Sequence, residues 1–178
     1  MAKVTGQAVA LWMLFAVITG IITYVFYRRG KMKLSTAIII PILVFYLSFV
    51  LTITIFSRTS RKRMRYNLEL FWTVKSILSG KTYLLSEMFW NIVLFVPTGA
   101  LVSALLPKRR WWLSVVIGMS MSAGIEVAQL LTRRGLFEFD DIIFNTLGAT
   151  VGVGLCLLLK RLGGGDRWKK RIIISPPR

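Results

Sequence analysis

The chain has 178 residues, 55% of them hydrophobic, and 24 basic against 7 acidic side chains give a net charge of +17. There is no histidine and a single cysteine, which excludes a Ser-His-Asp triad, a histidine-ligated zinc or haem, and an intramolecular disulfide. The basic residues punctuate apolar runs instead of lining one groove, so the charge fits anionic lipid headgroups and argues against nucleic acid as a partner.

The first apolar run covers residues 7–27 and exceeds a signal-peptide core, with no small-residue cleavage site after it. It reads as a retained transmembrane helix, closed by the basic loop at 28–33. The second run, 34–56, carries Pro41 and ends at a basic stretch, 57–65. Both are long enough for the roughly 18–20 residues that a spanning helix needs. Backbone groups in lipid must bond internally, so such runs are expected to be helical.

Residues 66–87 are less apolar. Leu68, Phe71, Trp72, Val74 and Leu78 recur at near-helical spacing, with Gly80 as a C-terminal stop. This pattern predicts a short amphipathic helix lying in the interface. A third span is expected over 88–106 with Pro97 inside it, a fourth over 111–131 and a fifth over 141–159. The fold class predicted is therefore all-α, a polytopic bundle of about five transmembrane helices plus the interfacial helix. Residues 161–178 form a basic tail whose Trp168 and cationic cluster suit anchoring to anionic lipid. Ser114, Gly118 and Ser122, Gly99 with Ser103, and Gly148 with Gly152 form small-residue stripes for close helix packing. Cys156 reads as a small packing residue.

Four of the seven acidic residues fall between positions 126 and 141. Glu126 lies inside the fourth run, where a carboxylate at the bilayer centre costs about 2.5–3.5 kcal/mol on insertion scales. Gln129 is three residues on, hence on the same helical face; Asp141 and Asn145 share a face in the same way. Arg58, Asn67, Glu69, Asn91, Gln129, Arg134, Asp140, Asp141 and Asn145 all map to one leaflet, with Glu87 and Glu138 nearby. They are expected to form a polar pocket with Glu126 at its floor. Structural roles compete: Glu126 can pair with Arg58 or Arg134, Asp140 can cap the fifth helix, and Asn91 and Asn145 can bridge helices. The chemical roles open to the group are acid/base work by Glu126, binding of Mg²⁺ by several acids, and charge-assisted capture of a headgroup or peptide. No cofactor is indicated, and no metal site is assigned.

With five spans, the 28–33 loop, the 107–110 loop and the tail counted from Lys160 share one side with fourteen basic residues, against ten on the other. The positive-inside rule then puts the tail inside and the polar cluster outside.

Phe56-Ser-Arg58, Tyr66-Asn-Leu-Glu-Leu-Phe71, Asn91-Ile-Val-Leu-Phe-Val-Pro-Thr-Gly99, Glu126-Val-Ala-Gln129, Arg134-Gly135 and Asp140-Asp-Ile-Ile-Phe-Asn145-Thr-Leu-Gly148 stand in that order. Together they resemble the VanZ-like family of bacterial membrane proteins; the similarity runs from about residue 40 to 158, within a membrane domain taken as residues 34–160. Leu70 stands where the family often has proline, and Thr98 where leucine is more typical. The family is named for a glycopeptide-resistance protein associated with teicoplanin rather than vancomycin. The resemblance implies a small multi-pass protein of the bacterial cytoplasmic membrane. Membrane lipids are then its partners, with a glycopeptide or a lipid-linked cell-envelope precursor as candidate ligand. It names no reaction, so an intramembrane enzyme and a structural scaffold both stay open.

Overall fold

The computed structural model describes residues 6–60 and 62–162. The predicted basic tail lies outside the described residues from position 163 on, Trp168 included, as do Lys3 and Arg61, while Arg161 and Leu162 end the last helix. The described residues form six α-helices: α1 (Gly6–Arg28), α2 (Leu34–Leu51), α3 (Trp72–Leu78), α4 (Leu84–Leu105), α5 (Trp111–Thr132) and α6 (Phe139–Leu162). A π-helical turn, Thr52–Phe56, continues α2, and a 3-10 turn, Lys108–Arg110, precedes α5. Among the described residues five segments are long and apolar enough to cross a membrane: Val9–Arg28, Leu34–Phe56, Leu84–Leu105, Lys108–Thr132 and Phe139–Leu162. The chain is thus the all-α five-span bundle expected from its sequence. The third span begins four residues earlier than the apolar run itself, and the fifth two residues earlier.

Helix α4 packs most extensively on α6; α5 covers α6, α2 flanks α4, and α1 packs mainly on α2. The α4–α6 seam is made of backbone. A Cβ on Gly148 would collide with the Ile92 carbonyl, one on Gly152 with the Val96 carbonyl, and one on Gly99 with the Ala149 carbonyl. On α5, Ser114, Gly118, Ser122, Ile125, Glu126 and Gln129 form one buried stripe. Large apolar side chains such as Leu14, Phe15, Ile21, Val127 and Leu159 point outward instead. Hydrocarbon solvates them as well as a core would, so close contact between small residues decides which faces meet. A compact cluster of Val50, Ile55, Phe95, Ile125 and Ala149 fills the space between α2, α4, α5 and α6.

The two ends of the bundle differ. At one end, Lys160 Nζ donates to the carbonyls of Ser103 (2.6 Å) and Leu106 (3.3 Å). The cation thereby caps the C-terminal carbonyls of α4. At the other end the connections are irregular and carry the polar residues.

The expected interfacial helix is shorter than its sequence pattern. Only Trp72–Leu78 is helical, and Gly80 ends it at φ 100°, with Lys81 N–H bonded to the Ser76 carbonyl at 3.0 Å. Ahead of it, Tyr66 and Asn67 pair in parallel with Phe137 and Glu138 as a two-residue ladder, β1 with β2. The face of α3 turned to the protein is Thr73 and Ser76, whereas Leu68, Phe71 and Leu78 are exposed. The apolar stripe thus faces away from the bundle, as a helix resting on lipid requires.

Candidate functional site

The π-turn ends α2 by leaving carbonyls without helical donors, a situation typical of π-bulges beside functional sites. Gln129 supplies one donor: its Nε2 gives a hydrogen bond to the Thr54 carbonyl at 3.2 Å. Its Oε1 accepts from Arg58 Nη1 at 3.3 Å. Gln129 thus ties α5 to the chain just past α2 and holds the Arg58 guanidinium. Gly135 leaves room beside it, because a Cβ there would run into Gln129 Oε1 and displace the side chain.

Glu126, one turn deeper on α5, is 1% exposed. Its Oε2 accepts the backbone N–H of Glu138 at 3.0 Å. The carboxylate that the sequence singles out therefore anchors β2, and among the described residues it forms no ion pair with Arg58 or Arg134. Asp140 is 2% exposed and also bonds backbone: Oδ1 accepts Phe71 N–H at 2.6 Å and Oδ2 accepts Thr73 N–H at 2.7 Å. Capping was the expected structural role of Asp140, but on α6. The helix it caps is α3, because Asp140 already lies inside the first turn of α6 and its side chain reaches across to the orphan amides of α3.

Asn91 Nδ2 donates to Asp141 Oδ1 at 2.7 Å, joining α4 to α6. Asn145 Nδ2 donates to Ser122 Oγ at 2.8 Å, inside the α5–α6 interface. Asn67 Oδ1 accepts the N–H of Glu69 at 3.2 Å, and Glu69 forms an exposed ion pair with Lys75 at 2.7 Å.

These braces surround a cleft of about 760 Å³ that opens at the irregular end of the bundle. Its walls come from Ser57–Thr59 after α2, Arg65, the first turns of α4 (Ser86, Glu87, Trp90 and Asn91), the 134–136 loop, Glu138 and Asp141. Of the ten residues expected to form the pocket, Arg58, Asn91, Arg134 and Asp141 line the cleft. Glu126 and Gln129 lie directly behind its wall, bonded to two lining residues. Asn145 is buried deeper between helices, Asp140 turns to α3, and Asn67 and Glu69 are not part of the lining. Glu87 and Trp90 enter the lining without having been assigned to the pocket; Glu87 sits one turn before Asn91, and that spacing is the signal for it.

Three guanidinium groups (Arg58, Arg65, Arg134) and three carboxyl groups (Glu87, Glu138, Asp141) face this space. Glu138, which precedes the fifth span, titrates well above the ordinary carboxylate value of 4.5, at about 7. Burial is the main cause, followed by the negative charges of Asp141, Glu87 and Asp140; a hydrogen bond with Asn67 opposes them. The sign of the linkage follows. The folded protein holds this proton more tightly than the unfolded chain, so the stability it contributes is full below about 4.5 and is lost as pH rises through about 7. The melting temperature of detergent-solubilised protein is expected to fall over this range, and Glu138→Gln to flatten that part of the profile. Superimposable profiles for the two proteins would contradict it.

Asp140 and Asp141 bond in different directions, and among the described residues no three potential ligands converge as a metal site does. What the cleft offers is paired binding of both charge signs, with Glu138 poised near neutrality for proton exchange. No curated protein and no solved structure gives a significant match to the chain. The order of motifs along α2 to α6 and the membrane-spanning architecture agree with a match to the VanZ/LLP1 family over residues 34–160, and the chain belongs to that family.

Proposed function

We propose that this multi-pass membrane protein binds an amphipathic cell-envelope molecule in the cleft and thereby lowers susceptibility to teicoplanin-type glycopeptides. The observation that carries the reading is a charged cleft, lined by Arg58, Arg134, Glu87 and Asp141, at one end of a five-span bundle. A lipid-bearing antibiotic or precursor partitions into the membrane and meets such a cleft from the side, whereas a less lipophilic relative does not. The excess of basic residues on the opposite side, fourteen against ten, supports an outward-facing cleft in a bacterial cytoplasmic membrane. Glycopeptides act from outside, so this orientation is the one that the reading requires.

Cells expressing the wild-type protein are expected to tolerate more teicoplanin with vancomycin sensitivity unchanged. Arg134→Ala, at equal abundance in the membrane, is expected to lose that protection. Equal sensitivity of expressing and non-expressing cells to both drugs would remove the resistance reading.

A second reading, an enzyme acting on a lipid-linked envelope precursor, is favoured by Glu138. Its carboxyl group lines the cleft and titrates near 7, which suits general acid/base work at neutral pH. Glu126, the residue first assigned that role, has its Oε2 engaged by a backbone amide and does not line the cleft. In this reading Glu138 exchanges the proton and Glu126 holds it in place.

A further inference from the structure

The cleft contains opposite charges with no ion pair between them among the described residues. Among the described residues the ion pair formed is Lys75 with Glu69, on the exposed surface outside the cleft. Arg58 is held by the neutral Gln129 amide and Asp141 by the neutral Asn91 amide, so each charge keeps capacity for another partner. These two amides fix the Arg58 guanidinium and the Asp141 carboxyl group at separate places in the wall. The chain as a whole is strongly cationic, yet three of its seven carboxyl groups line this one space. A site for a simple anion needs no such carboxylates, and a site for a metal ion is poorly served by guanidinium groups. Trp90, 64% exposed, stands at the cleft wall on α4, the position of an aromatic at a membrane interface.

We infer that the cleft binds a zwitterionic lipid headgroup, a phosphate diester carrying an ammonium group, with the acyl chains leaving past Trp90. The inference rests on the reading of the cleft as a ligand site and specifies that ligand's chemistry. The phosphate meets the guanidinium groups of Arg58 and Arg134, where forked N–H donors match its oxygens. The ammonium meets Glu87 and Asp141 on the α4–α6 side. The two charges of one headgroup then satisfy both halves of the cleft together, which neither phosphate nor an anionic lipid does.

The test is calorimetric titration of the purified full-length protein in neutral detergent with three probes: dihexanoyl phosphatidylethanolamine, dihexanoyl phosphatidylglycerol and inorganic phosphate. Saturable binding of the ethanolamine lipid is expected, about tenfold or more tighter than either of the others, as loss of a charged hydrogen-bond partner implies. Glu87→Gln and Arg134→Gln, each tested separately, are expected to weaken ethanolamine-lipid binding by about tenfold. Lys75→Ala, outside the cleft, is expected to leave it unchanged. Equal or tighter binding of the glycerol lipid would reduce the effect to bulk charge and overturn the inference. Equal binding of free phosphate would overturn the lipid source, and no saturable binding of any probe would overturn the site. Drug susceptibility is read separately in cells. Protection without headgroup selectivity retires this inference alone, and headgroup selectivity without protection retires the resistance reading alone.

Discussion

Asp140→Ala is expected to lower the stability of the protein by about 3–6 kcal/mol, from two charge-assisted hydrogen bonds at roughly 1.5–3 kcal/mol each. Both oxygens of this buried carboxylate are used, by Phe71 N–H and Thr73 N–H. Alanine leaves both amides without a partner, that of Thr73 in a buried place. Phe71 also sits at φ 59°, a left-handed conformation that costs a non-glycine residue about 1–2 kcal/mol and persists only where its surroundings hold it. Without Asp140 nothing at the start of α3 compensates that strain, since α3 has no side-chain cap of its own. Detachment of α3 and of the segment before it would also loosen the wall of the cleft at Arg65. Thermal melting of the solubilised protein and its steady-state level in membranes both report the change. Asp140→Asn keeps one acceptor and is expected to fall between the two. A melting curve for Asp140→Ala that overlays the wild type would show that α3 is not held this way.

Gly152→Ala is expected to destabilise the bundle by about 3 kcal/mol, near the upper part of the range for overpacked sites. Gly154→Ala in the same helix is expected to be neutral or to gain up to about 1 kcal/mol from helix propensity. Residue type, substitution and helix are the same in the two variants; only the facing surface differs. A Cβ on Gly152 meets the Val96 carbonyl and lies near the Ala100 nitrogen, both backbone atoms, so no rotamer change relieves the clash. A Cβ on Gly154 meets nothing within 4 Å. Separation of α4 from α6 would also pull Asn91 away from Asp141, which carries the damage from the packing seam to the cleft. The comparison is made by melting and by protein abundance. Equal behaviour of the two variants would mean that the α4–α6 seam is not the tight contact described.

Much of the fold follows from composition and period alone. Backbone in lipid has no partner but itself, so a long apolar run is a helix wherever it packs. The number of spans, the small-residue stripes on α4, α5 and α6, and the stop at Gly80 were legible for that reason. The grouping of polar residues at one end was legible too, because each span reverses direction and fixes which loops share a side. The extent of α3 was not. Its apolar period runs back to Leu68, but Tyr66 and Asn67 find backbone partners at Phe137 and Glu138, about seventy residues away, and a distant ladder leaves no trace in local periodicity.

The assignment of individual carboxylates was the least legible part. Sequence by itself marked Glu126, Asp140 and Asp141 as buried or half-buried acids near one membrane face, since a charge in an apolar run always needs a partner. It could not say which partner. Glu126 meets the amide of Glu138, Asp140 the amides of α3, and Asp141 the side chain of Asn91. Two of these three acids are therefore spent on holding backbone, while Glu87 and Glu138, less conspicuous because each stands at the edge of an apolar run and not inside it, reach the open cleft. The physical reason is direction. Spacing along a helix decides which residues share a face, but the groups that this face meets come from segments brought together only by folding.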